Sequence, residues 1–171
     1  MSDQRRLVLI RHAKADPDAD GGDHGRGLTA RGRRDAAAIG RWLADNDLVP
    51  DLVLCSDARR ARETWTAASS ELADPPPVRD ESALYDASVE QVLDLVAGAG
   101  EAVRTLAVVG HDPATTRTAV ALAGPGSDAA MVAEIRAGLP TSGVAVLHVP
   151  GEWGEVTGGS AVLKQHASPR G

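Results

Sequence analysis

Three apolar runs in this 171-residue chain each end in residues able to handle an anion. Leu7-Val8-Leu9-Ile10 runs into Arg11-His12. Leu52-Val53-Leu54-Cys55 runs into a polar cluster, Ser56 to Thr64, that contains Arg60, and Thr105 to Val109 runs into Gly110-His111-Asp112-Pro113. An arginine presents a rigid fork of donors suited to phosphate or carboxylate, and a neutral imidazole beside it can act as a nucleophile. The pairing of Arg11 with His12 therefore points to phosphoryl transfer through histidine. Alone, such a dipeptide could be a charged strand end with a surface histidine. Three ends that together supply two histidines and at least two arginines are much harder to read as decoration.

Each run is too short for a helix and reads as a strand buried on both faces. Thr29 is placed to N-cap a helix that stops near Asn46, with Ile39, Trp42 and Leu43 inward and Arg31, Arg33, Arg34 and Arg41 on a solvated face. A second helix is expected from about Ala58 to Leu72, with Trp65 and Leu72 inward, ended by Asp74-Pro75-Pro76-Pro77. The stretch from Val78 to Ala87 reads as irregular with one short strand. Ser88 then caps a helix closed by Gly98 and Gly100. Helices are expected over about Ala114 to Leu122, with Pro113 at the first position, and over Ala129 to Ala137. Val144 to Val149 reads as a strand, and Ala161 to Gln165 as a last strand at an edge. Strands alternating with helices predict one α/β domain over residues 1–171, a three-layer α/β/α sandwich around a mostly parallel sheet. Ligands of such sheets bind outside the carboxyl ends of the strands, where Arg11, His12, Arg60 and His111 would converge.

Composition narrows the alternatives. A net charge of −6 argues against a generic nucleic-acid binder, so an anionic ligand must be drawn by local arginines. No stretch approaches the length of a membrane span. The polar segment from Met1 to Arg6 runs straight into the first strand without room for a signal peptide, and the expected location is the cytoplasm. Cys55, the single cysteine, cannot form an internal disulfide and reads as an inert buried thiol. There is no glycine-rich phosphate loop, and the five histidines lack the spacing of a zinc site. No surface stretch is apolar enough to forecast a dimer, so a monomer is expected. The segment from Asp16 to Gly27 has loop composition and follows the first strand as a natural site wall, where Arg26 or His24 could meet substrate.

With these residues assembled, the chain resembles the histidine phosphatase superfamily, the phosphoglycerate mutase-like fold. Leu-Ile-Arg-His-Ala is similar to its Arg-His-Gly signature, with Ala13 in place of the glycine. Ser56, Arg60, Ala61 and Thr64 match its Ser-x-x-x-Arg-Ala-x-x-Thr pattern, and Val-Gly-His-Asp-Pro matches its second-histidine motif. Short length, Arg-His-Ala-Lys, the segment from Arg26 to Gly32, Leu84-Tyr85, Trp153 and the Pro169-Arg170 ending resemble the SixA-type phosphohistidine phosphatase branch. The resemblance implies that His12 is the nucleophile, phosphorylated and then hydrolysed by water, with Arg11, Arg60 and His111 around the phosphoryl group. These groups supply positioning and charge neutralisation, so neither metal nor cofactor is expected. Arg59 and Arg62 receive no role.

The superfamily's mutases and small-molecule phosphatases use a glutamate to protonate the leaving oxygen. The matching context here is Leu84-Tyr85-Asp86, which makes Asp86 the candidate acid, with Glu81 and Asp112 behind it. An imidazole leaving from phosphohistidine needs less help than an alkoxide, and a short chain leaves a shallow site open to a protein surface. The expected activity is dephosphorylation of phosphohistidine on proteins. The alternatives are a phosphatase for small phosphomonoesters such as sugar phosphates or nucleotides, and a phosphate-binding module without turnover.

Overall fold

The computed structural model describes residues 4–171; the start of the polar N-terminal segment, residues 1–3, lies outside them. The three apolar runs form β1 (Arg5–Arg11), β2 (Leu52–Ser56) and β4 (Thr105–Gly110), and β3 (Val78–Glu81), β5 (Val144–Val149) and β6 (Val162–Ala167) complete a six-stranded sheet. Its order is β3-β2-β4-β1-β5-β6. The first four are mutually parallel, whereas β5 runs antiparallel to β1 and β6 antiparallel to β5. The sheet is thus mostly parallel, with β6 at one edge as the sequence suggested. The exposed four-residue β3 forms the other edge, in the stretch expected to hold one short strand.

Successive residues of the central strands serve opposite faces, as the two-residue period of a strand requires. Leu7, Leu9, Leu52, Leu54, Leu106 and Val108 pack with Val92 and Val96 of α3 (Val89–Ala97), Ala119 and Leu122 of α4 (Ala114–Leu122) and Ile135 of α5 (Ala129–Arg136). Val8, Ile10, Val53, Cys55, Ala107 and Val109 pack on the other side with Ile39 and Leu43 of α1 (Ala30–Asp45) and Ala61, Trp65 and Ala68 of α2 (Arg59–Ser69). The result is the expected α/β/α sandwich, its central strands buried on both sides. Trp42 is only partly buried against this layer.

Helix boundaries follow capping chemistry. The Thr29 side chain accepts from Gly32 N at the start of α1, and Ser88 forms a reciprocal capping box with Gln91 at the start of α3. Helix α2 ends at Ser69, three residues before the expected end, yet Leu72 is still buried. Pro113 sits one position before α4. Two glycines permit close approaches that position the site. A Cβ on Gly40 would lie 2.0 Å from the Ala68 carbonyl oxygen where α1 crosses α2, and one on Gly32 would lie 2.1 Å from that of Lys14, just beyond His12. Among the described residues, no helix is long and apolar enough to cross a membrane.

Candidate active site

Register brings the three sequence motifs together. Arg11 pairs with Gly110 and Cys55 with Val109, so β1, β2 and β4 end at one level. The His12 backbone is clamped from both sides, its N–H donating to the Gly110 carbonyl (3.0 Å) and its carbonyl accepting from Ser142 N (3.1 Å). The next N–H, of Ala13, donates to Thr64 Oγ1 (2.9 Å), whose hydroxyl in turn donates to the Arg60 carbonyl (2.7 Å). Through Thr64 the histidine-bearing turn is fastened to the first turn of α2, which carries Arg60.

The hydrogen bonds of His12 fix its tautomer. Nδ1 lies 2.8 Å from the Ala13 carbonyl, which can only accept, so Nδ1 carries the hydrogen. Nε2 faces Arg60 Nε at 3.3 Å, which can only donate, so Nε2 holds the lone pair. Burial, with the charges of Arg60, Arg11 and Arg26 behind it, pushes the His12 pKa down to about 4 against the opposing Ala13 carbonyl. The ring is therefore neutral at physiological pH, with its lone-pair nitrogen aimed at a guanidinium.

His111 stands beside it, ring centroids 5.2 Å apart. Its Nε2 meets Ser56 Oγ at 2.8 Å, and Ser56 Oγ also accepts from Ala58 N. Its Nδ1 is buried, with no hydrogen-bond partner among the described residues. Burial, followed by the neighbouring His12 and Arg60, lowers the His111 pKa to about 3. Because both folded values lie below the ordinary 6.5, the unfolded chain takes up protons between about pH 6.5 and 3 that the folded chain refuses. Stability is complete above pH 6.5 and is lost as pH falls. The urea midpoint is expected to drop between pH 7 and 4, with a shallower pH slope in His111→Gln; an unchanged slope would mean that His111 is not held neutral.

Arg11 donates through one terminal nitrogen to the Leu139 carbonyl (2.6 Å), and the same nitrogen lies 3.7 Å from Asp112. Asp112 accepts from the backbone and hydroxyl of Thr116, so this carboxylate caps α4 and orients Arg11. Arg60, 7 % exposed, also reaches the loop over the site: its terminal nitrogens donate to the Asp23 carbonyl (2.8 Å) and to Asp23 Oδ2 (3.1 Å). The Tyr85 hydroxyl donates to the same Oδ2, and Arg26 donates to Oδ1 (2.9 Å). Tyr85 stands edge-on to His111 at 5.6 Å and lies beneath the Arg60 guanidinium at 5.8 Å.

The structure thus gathers His12, Arg60, His111 and, at the rim, Arg11. Asp86 follows Tyr85 but is exposed, and among the described residues no hydrogen bond or ion pair joins it to the cluster. Glu81 ends β3 beside Ser56 and is likewise outside the bonded network. Of the loop candidates, Arg26 reaches the cluster through Asp23, and His24 pairs with Asp57 (2.9 Å) and meets Tyr85 edge-on. The positions of Asp23 and Tyr85 were not read from the sequence. The signals the sequence does carry are the loop composition of Asp16 to Gly27, which marks a site wall without singling out Asp23, and the Leu84-Tyr85 likeness, which assigns Tyr85 no role. Cys55 is buried with its pKa pushed up to about 12, chiefly by burial, which makes it the inert thiol expected.

A buried neutral imidazole facing the Arg60 guanidinium at the carboxyl edge of an α/β sheet is an arrangement suited to phosphoryl chemistry. The chain belongs to the histidine phosphatase superfamily (branch 1), whose model matches residues 7–122. It is 42 % identical over 163 residues to the uncharacterized protein Rv1276c of Mycobacterium tuberculosis, covering 94 % of this chain and all of that one. Among solved structures it is similar to a protein of Nakamurella multipartitia assigned as phosphohistidine phosphatase SixA, with TM-score 0.86, 32 % identity and coverage of 97 % and 96 % of the two chains. A SixA assignment from Agrobacterium tumefaciens matches with TM-score 0.80, 32 % identity and coverage of 96 % and 98 %.

Proposed function

We propose that this chain is a phosphatase that hydrolyses phosphohistidine on proteins through a covalent intermediate on His12. The observation that carries the reading is the tautomer of His12, with its hydrogen on Nδ1 and its lone pair on Nε2 beside Arg60. The Nε2 lone pair forms the new P–N bond as the bond from phosphorus to the substrate's ring nitrogen breaks. When that ring enters protonated on its free nitrogen, it leaves as neutral imidazole and takes no proton from the enzyme. Water then attacks phospho-His12, the P–Nε2 bond breaks, and inorganic phosphate departs. Arg60 and Arg11 are the groups available to the equatorial oxygens, with the His111 ring beside His12 completing the surroundings of the phosphoryl group. The same reading has the chain acting as a monomer in the cytoplasm, without metal or cofactor.

The surroundings of the two carboxylates bonded into the cluster, the candidate acid Asp112 and the loop residue Asp23, favour phosphohistidine over an alkyl phosphate. Asp112 is engaged with Thr116 and Arg11, and Asp23 is held well below the ordinary carboxylate range by hydrogen bonds from Tyr85 and Arg26, with Arg60 adding its charge. Asp23 therefore does not stand as a protonated acid, and the Asp112 oxygens are already taken up by Thr116 and Arg11. The test compares turnover of a phosphohistidine protein with that of a panel of phosphomonoesters, for wild type and Asp86→Ala together. Phosphohistidine is expected to be preferred and Asp86→Ala to change its rate less than about twofold, the ordinary latitude of an exposed surface position. Preference for a phosphomonoester with a rate loss of roughly a hundredfold or more in Asp86→Ala would instead make this a small-molecule phosphatase with Asp86 as its acid.

A further inference from the structure

The phosphoryl pocket already holds an anion. Asp23 lies in a short 3₁₀ turn, Asp23–Gly25, within the loop over the site, and both its backbone carbonyl and its Oδ2 accept from Arg60. That guanidinium is also the one bonded to the lone-pair nitrogen of His12. A carboxylate on an arginine fork makes the same kind of contact as a phosphoryl oxygen. Substrate phosphate and Asp23 therefore compete for one set of donors, and His12 is left only 9 % exposed.

The loop is attached in a way that allows exchange. Its base is fixed, with Ala15 bridged to Leu28, Asp16 N donating to the Gly27 carbonyl and Leu28 N donating to Glu63. No residue of the 3₁₀ turn is buried, so no apolar anchor holds the tip down. The tip is held mainly by polar contacts, Asp23 to Arg60, Tyr85 and Arg26 and His24 to Asp57, with one edge-on ring contact of His24 on Tyr85. Contacts of this kind can be traded for those of another anion at modest cost, because the Asp23 side chain is about half exposed (53 %).

We propose that Asp23 is a resident anion of the phosphoryl pocket, displaced from Arg60 by the incoming phosphoryl group and returning to expel inorganic phosphate. Occupancy by Asp23 also keeps the Arg60 guanidinium paired while the site is empty, and sets a threshold that free phosphate must exceed to inhibit the enzyme. This rests on the reading of the site as a phosphoryl pocket, and the test separates the two.

Inorganic phosphate is titrated into the full-length wild type, Asp23→Asn, Asp23→Ala and Arg60→Ala proteins by calorimetry, with amide exchange of residues 17–25 followed in wild type. Both Asp23 variants are expected to bind phosphate about fivefold more tightly, the size of an ion pair whose carboxylate is half in water. Saturating phosphate is expected to speed amide exchange in the wild-type loop. Equal or weaker binding in both Asp23 variants, or protection of the loop by phosphate, would overturn the proposal while phosphate binding that depends on Arg60 left the pocket itself intact. Failure of wild type and both Asp23 variants alike to bind phosphate would overturn the pocket, and this proposal with it.

Discussion

Replacing His12 with alanine is expected to lower turnover by on the order of 10⁴-fold or more and to abolish any acid-labile phosphate carried by the protein. The expectation follows from how completely the surroundings prepare this one ring. Its backbone is tied to Gly110 and Ser142, its Nδ1 hydrogen is committed to the Ala13 carbonyl, and burial together with three arginines keeps it neutral. No other imidazole shares that preparation. His111 has its Nε2 engaged with Ser56 and turns its remaining nitrogen, Nδ1, into a buried position. The check is single-turnover kinetics with radiolabelled phosphoryl donor, followed by trapping of protein-bound label under alkaline conditions. Full activity in His12→Ala would end the covalent mechanism. Loss of the label with a rate reduction below tenfold would mean that water attacks the substrate directly and that His12 only assists.

The strand ends that build this site were legible because a strand buried on both faces leaves a continuous aliphatic run, and three such runs stopped at polar residues. Thr29 and Ser88 were legible as caps because their side chains satisfy local backbone donors, a relation confined to neighbouring residues. The antiparallel β5 beside β1 has no comparable mark. Val144 to Val149 is buried almost throughout and reads the same in either direction. Asp23 and Tyr85 are 62 positions apart and meet only because the loop after β1 and the turn after β3 face one another across the pocket. An aspartate among the aspartates and glycines of residues 16–23, and a lone tyrosine, carry no period from which that meeting could be read. Asp86 drew attention through its position in a motif. The fold turns the adjacent residue, Tyr85, toward the cluster instead.

Arg60→Ala is expected to reduce kcat by roughly 10²–10³-fold, the cost of removing a preorganised donor from developing negative charge. Among the described residues, Arg60 is the one side chain bonded both to the His12 lone-pair nitrogen and to Asp23. The fold should survive, because Thr64 is anchored through the Arg60 carbonyl rather than its side chain, and the abandoned Asp23 carboxylate can turn to water. A thermal midpoint within a few degrees of wild type corresponds to about 1 kcal/mol in a domain of this size. A second consequence separates charge from geometry. The positive charge of Arg60 is one cause of the depressed His12 pKa, so Arg60→Ala should move the acidic limb of the kcat/KM profile upward from about pH 4. Arg60→Lys restores the charge but not the planar fork, and should return the limb toward its original position while leaving most of the rate loss in place. If lysine restored the rate as well, neutralisation alone would suffice and the fork would have no part in orienting the phosphoryl group. If neither variant moved the limb, the neutrality of His12 would rest on burial alone, and Arg60 would act on the substrate without setting the state of the nucleophile.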